Sequence, residues 1–185
     1  PAAVVTIPVG DSLVCGGITE SYSITAVPNA TNYTWSVTAP ATIISGQGTP
    51  NVSVQWGTLN DTTQLCVDVQ TNCGIITSPC LNVIVNNIPP APAPQGSFNG
   101  CAGGVSTYTI AAVPGADSYN WQVTGGVITS GQGTDTILVT WDISSTTGIV
   151  CVTSVNECGE SQAGCINITI GIAPAEPLIN GVLAV

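Results

Sequence analysis

The chain is expected to be all-β, two small β-sandwiches in tandem joined by a Pro-rich linker. Three observations predict this. The sequence repeats at a fixed interval, apolar residues alternate with polar ones inside each repeat, and no stretch carries the 3.6-residue period of an amphipathic helix. The pentapeptide SGQGT stands at Ser45–Thr49 and again at Ser130–Thr134, each time followed by an alternating run that ends in tryptophan. Tyr22, Tyr33 and Trp35 recur 86 positions on as Tyr108, Tyr119 and Trp121. Gly46, Trp56, Cys66, Cys73 and Cys80 recur 85 positions on as Gly131, Trp141, Cys151, Cys158 and Cys165. One residue is therefore lost between the first tryptophan of a repeat and its GQG turn. That loss belongs in a loop, because inside a strand it would send every later side chain to the wrong face.

Each strand follows from its alternation. SYSITAV puts Tyr22, Ile24 and Ala26 on one face. NYTWSVT separates Tyr33, Trp35 and Val37 from Asn32, Thr34 and Ser36, one set being core. VSVQW aligns Val52, Val54 and Trp56; QLCVDV aligns Leu65, Val67 and Val69; CLNVIV aligns Leu81, Val83 and Val85. Proline, glycine and asparagine punctuate the joins. Several short strands at this spacing make a small sandwich. The expected domains are residues 1–87, a Pro-rich linker 88–95, a second sandwich 96–173, and 174–185 as linker and the start of a third repeat. The last assignment rests on PLING (Pro177–Gly181), which matches TIPVG (Thr6–Gly10) and PAPQG (Pro92–Gly96). Proline at the density of NNIPPAPAPQG forms an extended, semi-rigid spacer, and its missing N–H bars it from a central strand. With no targeting leader in view, the chain reads as mature or as an excerpt from a longer array.

Composition narrows the partners. Among 185 residues there is no lysine, arginine, histidine or methionine, and ten acids give a formal charge of −10. Nucleic acid is excluded, since phosphate binding depends on Lys/Arg and counterion release. An anionic membrane surface is disfavoured for the same reason, and no apolar run approaches the roughly 18 residues of a membrane span. Solubility rests on Ser, Thr, Asn and Gln, which with eight cysteines points to disulfides and an extracellular or cell-surface setting. Structural zinc favours Cys-x2–4-Cys couples, whereas the spacing here is Cys-x6-Cys-x6-Cys with no histidine.

Strand phase bears on the pairing. With Leu65, Val67 and Val69 inward, Cys66 faces out; with Leu81, Val83 and Val85 inward, so does Cys80. A hairpin turning at TNCG would set the two side by side. The expected bonds are Cys66–Cys80 and Cys151–Cys165, and by elimination Cys15–Cys73 and Cys101–Cys158. Cys15–Cys66 with Cys73–Cys80 is the alternative.

Candidate chemistry is sparse. SGQGT is a possible phosphate cradle only by its glycines: the P-loop needs a following Lys and a helix, and the dinucleotide loop a strand–turn–helix unit. The glycines instead permit positive φ between two strands. No catalytic residue is assigned, because without His or Lys no ordinary base serves a Ser or Cys nucleophile. The close acid pair Glu157 and Glu160 flanks a turn that the first repeat fills without acids. Trp35 and Trp121 lie mid-strand in apolar phase and belong to the core. Trp56 and Trp141 end their strands and are the candidate glycan contacts. No Asp-x-Asp-x-Asp loop suggests calcium, and no metal or cofactor is expected.

The combination VCGG…SYSITAVPNATNYTWSV…SGQGTPNVSVQW…LCVDVQTNCG resembles the PKD-like domain, a polycystic-kidney-disease-type immunoglobulin-like sandwich of large secreted and surface proteins in Bacteroidota. The second copy, GCAGG…TYTIAAVPGADSYNWQV…SGQGTDTILVTW…VCVTSVNECG, resembles it more closely, and the two copies cover about 165 residues. The resemblance implies tandem spacers in adhesins, filaments or multidomain enzymes, exported by a type IX system. The GDG turn of the parent domain is absent, so no calcium role carries over. DSL, DTT and DTI are similar to the Asp-Ser/Thr-apolar O-glycosylation acceptor of that group, which makes Ser12, Thr62 and Thr136 candidate acceptors. The implied function is a stalk segment, not an enzyme. Its expected partners are neighbouring repeats, surface polysaccharide, or other copies in a filament, for which PLINGVLAV is a candidate donor strand. A carbohydrate-binding accessory module and a polymerising fibre subunit are the alternatives.

Overall fold

The computed structural model describes residues 5–58 and 60–172. The chain divides into two compact units, Pro1–Ile88 and Pro89–Val185, and every regular element among the described residues is a β-strand. The expected start of a third repeat, with the candidate donor segment PLINGVLAV, lies outside the described residues.

The first unit contains β1 (Leu13–Cys15), β2 (Thr19–Ser23), β3 (Ala30–Val37), β4 (Thr42–Ser45), β5 (Asn51–Gln55), β6 (Asp61–Thr71), β7 (Gly74–Thr77) and β8 (Leu81–Asn86). One sheet runs β1-β8-β6-β3, with β7 beside β6, and the other runs β2-β5-β4. The inner faces carry the alternating residues: Tyr33 and Trp35, Val52 and Val54, Leu65, Val67 and Val69, Val83 and Val85 are all buried. β1 pairs in parallel with β8, so the first strand of the unit is sewn onto its last. The alternation of SYSITAV breaks after Ile24, because Ala26 is exposed and Val27 buried. The Tyr33 hydroxyl accepts a hydrogen bond from the Val27 N–H at 3.0 Å, turning the chain inward one residue later than strict alternation predicts. In the second unit Tyr119 does the same for the Val113 N–H at 2.9 Å.

The second unit repeats the plan with β9 (Gln95–Gly96), β10 (Asn99–Cys101), β11 (Val105–Thr109), β12 (Ser118–Thr124), β13 (Gly126–Ser130), β14 (Thr136–Trp141), β15 (Thr147–Asn156), β16 (Gly159–Glu160) and β17 (Gly164–Gly171). Its sheets are β10-β17-β15-β12, with β16 beside β15, and β13-β14-β11-β9. The unequal spacing of the copies falls in the connection before the GQG turn: residues 38–41 separate β3 from β4, whereas Gly125 alone separates β12 from β13.

The proline stretch differs from a free spacer. Pro89 and Pro92 are buried, and the fully buried Ser154 of β15 donates its hydroxyl to the Pro90 carbonyl at 2.6 Å. A Cβ on Gly164 would collide with the Pro92 carbonyl oxygen. Extended proline chain has unpaired carbonyls, and here the sandwich that follows supplies a donor and a close seat for them.

Candidate functional site

The feature both units share is the SGQGT loop. Gly46 and Gly131 sit at φ of +92° and +88°, and Gly48 and Gly133 at +84° and +89°, a region that only glycine enters readily. The turns carry Gln47 and Gln132 back to the outer edges of β3 and β12. Gln47 accepts from the Trp35 N–H through Oε1 at 2.9 Å and donates from Nε2 to the Trp35 carbonyl at 2.7 Å. Gln132 makes the same pair with Trp121, both at 2.9 Å. The side-chain amide thus stands in for a peptide of a neighbouring strand. The Gly48 N–H reaches the Tyr33 carbonyl at 2.9 Å, and the Tyr119 N–H reaches the Gly133 carbonyl at 3.3 Å. Each indole then bonds the loop from inside, Trp35 Nε1 to the Thr49 carbonyl and Trp121 Nε1 to the Thr134 carbonyl, both at 2.8 Å. The loop's polar groups point into the fold, so it closes an edge and cradles no phosphate.

Trp56 and Trp141 are each 1 % exposed, which overturns their assignment as glycan contacts: no indole face is open to stack on a sugar ring. Both lie edge-on to a tyrosine, Trp56 to Tyr22 at 5.7 Å and Trp141 to Tyr108 at 6.1 Å. Gly100, Gly126 and Gly148 crowd Trp141 so closely that a Cβ on any of them would clash with the indole. The matching places in the first unit are filled by Val14, Ala41 and Thr63, all buried. Trp141 Nε1 donates to Ser106 Oγ at 2.9 Å. Glu20 occupies the corresponding place in the first unit, and the buried Trp56 Nε1 has no partner. Burial pushes the Tyr22 phenol up to about 12, the nearby Trp56 offsetting part of the shift and Glu20 and Asp11 adding to it. Tyr108 is raised for the same main reason. Their hydroxyls donate to the Asp11 carbonyl at 2.8 Å and the Ser97 carbonyl at 3.0 Å.

The cysteines divide into two classes. Cys66 is bonded to Cys80 and Cys151 to Cys165, across Cα distances of 4.4 and 4.1 Å, the close spacing of a non-hydrogen-bonded antiparallel pair. Cys73 and Cys101 are free and exposed, so the expected Cys15–Cys73 and Cys101–Cys158 bonds are absent. Register explains this. Cys15 lies opposite Asn86 at the Asp61 end of β6, whereas Cys73 lies beyond Thr71 at the other end. β6 has 11 residues, roughly 35 Å at about 3.3 Å per residue, far beyond the ~7 Å a disulfide can bridge. β15, of 10 residues, separates Cys101 from Cys158 in the same way. The fallback pairing fails too, because Cys66 is taken by Cys80.

The remaining candidates are placed without forming a centre. Glu160 is held below the usual carboxylate range by hydrogen bonds from Thr153 and Asn120, the opposite of the raised pKa a general acid needs. Ser12 and Thr62 are exposed; Thr136 is half-buried, and its hydroxyl donates to Asp135 at 3.0 Å. A recess of about 370 Å³ on the first unit is lined by Ser21, Ser23, Ser45, Asn51 and Ser53 among others, with no charged group. Among the described residues no cluster of His, Cys, Asp or Glu could hold a metal, and no helix is long and apolar enough to cross a membrane.

The architecture has counterparts among known proteins. The first is the crystal structure of a mouse coronavirus receptor-binding domain with its murine receptor, at TM-score 0.53 and 10 % identity, covering 90 % of this chain and 100 % of that one. Others are the chicken CNTN1 FN1-FN3 domains (TM-score 0.44, 10 % identity, 91 % of this chain, 66 % of that one) and the mouse nectin-like molecule 4 ectodomain, Ig1-Ig3 (0.42, 11 %, 94 % and 67 %). At such identities the first speaks to fold alone. No curated protein sequence matches the chain. The model of the PKD-like domain matches twice, over residues 1–83 and 88–168, and with the sandwich repeated in both units, this chain belongs to the PKD-like domain family.

Proposed function

We propose that the chain is a spacer segment of a large extracellular surface adhesin or filament of a bacterium of the Bacteroidota. The observation that supports this best is the Gln47 and Gln132 cap. An open edge strand is a template for pairing with another chain, a hazard multiplied when sandwiches are strung together. Both units close the same edge with a side-chain amide, and both spend their tryptophans on the core. Beads built this way carry load and distance while offering little that is sticky. The disulfides favour an oxidising, extracellular setting, and with no Lys or Arg the chain offers trypsin-type proteases no cleavage site. Electron microscopy of the native surface material tests the reading: thin beaded strands with a one-sandwich repeat support it, whereas isolated small particles overturn it. Saturable glycan affinity would instead make the chain a binding module.

A further inference from the structure

We propose that Cys73 and Cys101 are the two halves of a head-to-tail disulfide between sandwiches, formed between copies of this chain: Cys101 of one copy with Cys73 of the next. The inference stands on the cysteine positions and does not need the spacer reading. Both thiols are free and exposed. They occupy unlike places in the repeat: Cys73 lies in the β6–β7 turn, its N–H held by Thr71 Oγ1 at 3.1 Å, and Cys101 closes β10 opposite Gly171. Their counterparts in the other repeat, Cys158 and Cys15, are both oxidised to disulfides. Each kind of position is thus already a disulfide position in this molecule. Within a single sandwich the two positions lie at opposite ends, separated by the length of β6 or β15. Joining one kind to the other inside a sandwich is therefore excluded by reach. For Cys73 and Cys101 the bond proposed is therefore one between copies, end to turn, in one direction.

Charge permits the approach. The chain has ten acids and no basic side chain, so most of its surfaces repel a second copy. Cys73 is flanked by Gln70, Thr71, Asn72, Gly74, Ile75 and Ile76, and Cys101 by Phe98, Asn99, Gly100, Ala102, Gly103 and Gly104. Neither has a carboxylate within three positions in sequence, and Phe98 and Ile75 are exposed apolar neighbours. The oxidant is a low-molecular-weight disulfide such as glutathione disulfide. The Cys101 thiolate attacks it, forming a mixed disulfide and releasing one glutathione thiol. The Cys73 thiolate of a second copy then attacks the Cys101 sulfur and expels the other. Two protein thiols are oxidised and one glutathione disulfide is reduced to two thiols, which take up the two protons that the protein thiols lose.

The test uses the whole chain, Cys73→Ser, Cys101→Ser and an equimolar mixture of the two variants, each incubated with glutathione disulfide and run on a non-reducing gel. A native thiol titration first confirms two thiols in the parent and one in each variant, with circular dichroism showing that the variants fold. The expected result is a ladder of multimers from the parent, monomer from each variant alone, and dimer from the mixture at least tenfold above either variant alone. Homodimers of the single variants in equal yield would show indiscriminate oxidation of exposed thiols and overturn the proposal. So would a parent chain that ends only as glutathione-capped monomer.

Discussion

At the scale of single residues, the two glycines of the SGQGT turn carry different burdens. Gly131 is at φ +88°, and a Cβ there would collide with the Thr136 carbonyl oxygen; Gly133 is at +89° with nothing within 4 Å. Gly133→Ala therefore meets only the left-handed backbone cost of about 1–2 kcal/mol. Gly131→Ala adds a backbone clash and is expected to cost clearly more, read as a lower denaturant midpoint. The phenol of Tyr22 yields a second expectation. Its folded pKa of about 12 lies above its ordinary value of 10, so this contribution to stability is fully present below pH 10. It is lost as pH rises from about 10 to about 12, because the unfolded chain ionises first. Denaturation midpoints measured through that window should fall, and phenylalanine at position 22 should flatten this part of the decline.

At the scale of elements, the hairpin β6–β8 and the capped edge of β12 decide how each sandwich holds. Cys66 and Cys80 close a loop of separation 14, worth roughly 3 kcal/mol in the chain-entropy model. Cys66→Ala with Cys80→Ala should lower the stability of the first unit by about that much, seen in chemical denaturation. Along β12, Gln132→Ala leaves the Trp121 N–H and carbonyl without their protein partner. The expected loss is about 1–3 kcal/mol, together with increased light scattering as the edge opens to other chains. Gln132→Glu keeps the acceptor but sets a carboxylate oxygen against the Trp121 carbonyl, and is expected to restore little.

At the scale of the whole molecule, composition sets the sign of the electrostatics. Apart from the amino terminus there is no cation to form an ion pair, so almost every charge–charge interaction is repulsive and salt can only relieve it. Raising sodium chloride from low to physiological strength should leave stability unchanged or raise it by less than about 1 kcal/mol, whereas a fall would reveal an attraction that the composition does not contain.

Strand existence and phase were legible because period two is a local property of the chain: Leu65, Val67 and Val69 can only share a face, and the same phase turns Cys66 outward. The repeat made SGQGT visible as a structural signal, and its unequal spacing pointed to a loop. What tertiary structure alone decided is everything that depends on where strands end relative to one another. The parallel seating of β1 and β10 puts Cys15 and Cys101 far from the turn cysteine of the same sandwich, a separation that elimination on a list of cysteines cannot measure. The short strands β1, β4, β7, β9 and β16 carry too few residues to show an alternation. Trp56 and Trp141 look exposed as strand-end residues, yet the opposite sheet covers them, because burial at a strand end is set by the facing layer. The Gln47–Trp35 and Gln132–Trp121 bonds, side chain to backbone across a loop, leave no periodic trace. Local alternation therefore determined an all-β tandem repeat, while long-range register decided which cysteines meet, which edges close and which aromatic rings are hidden.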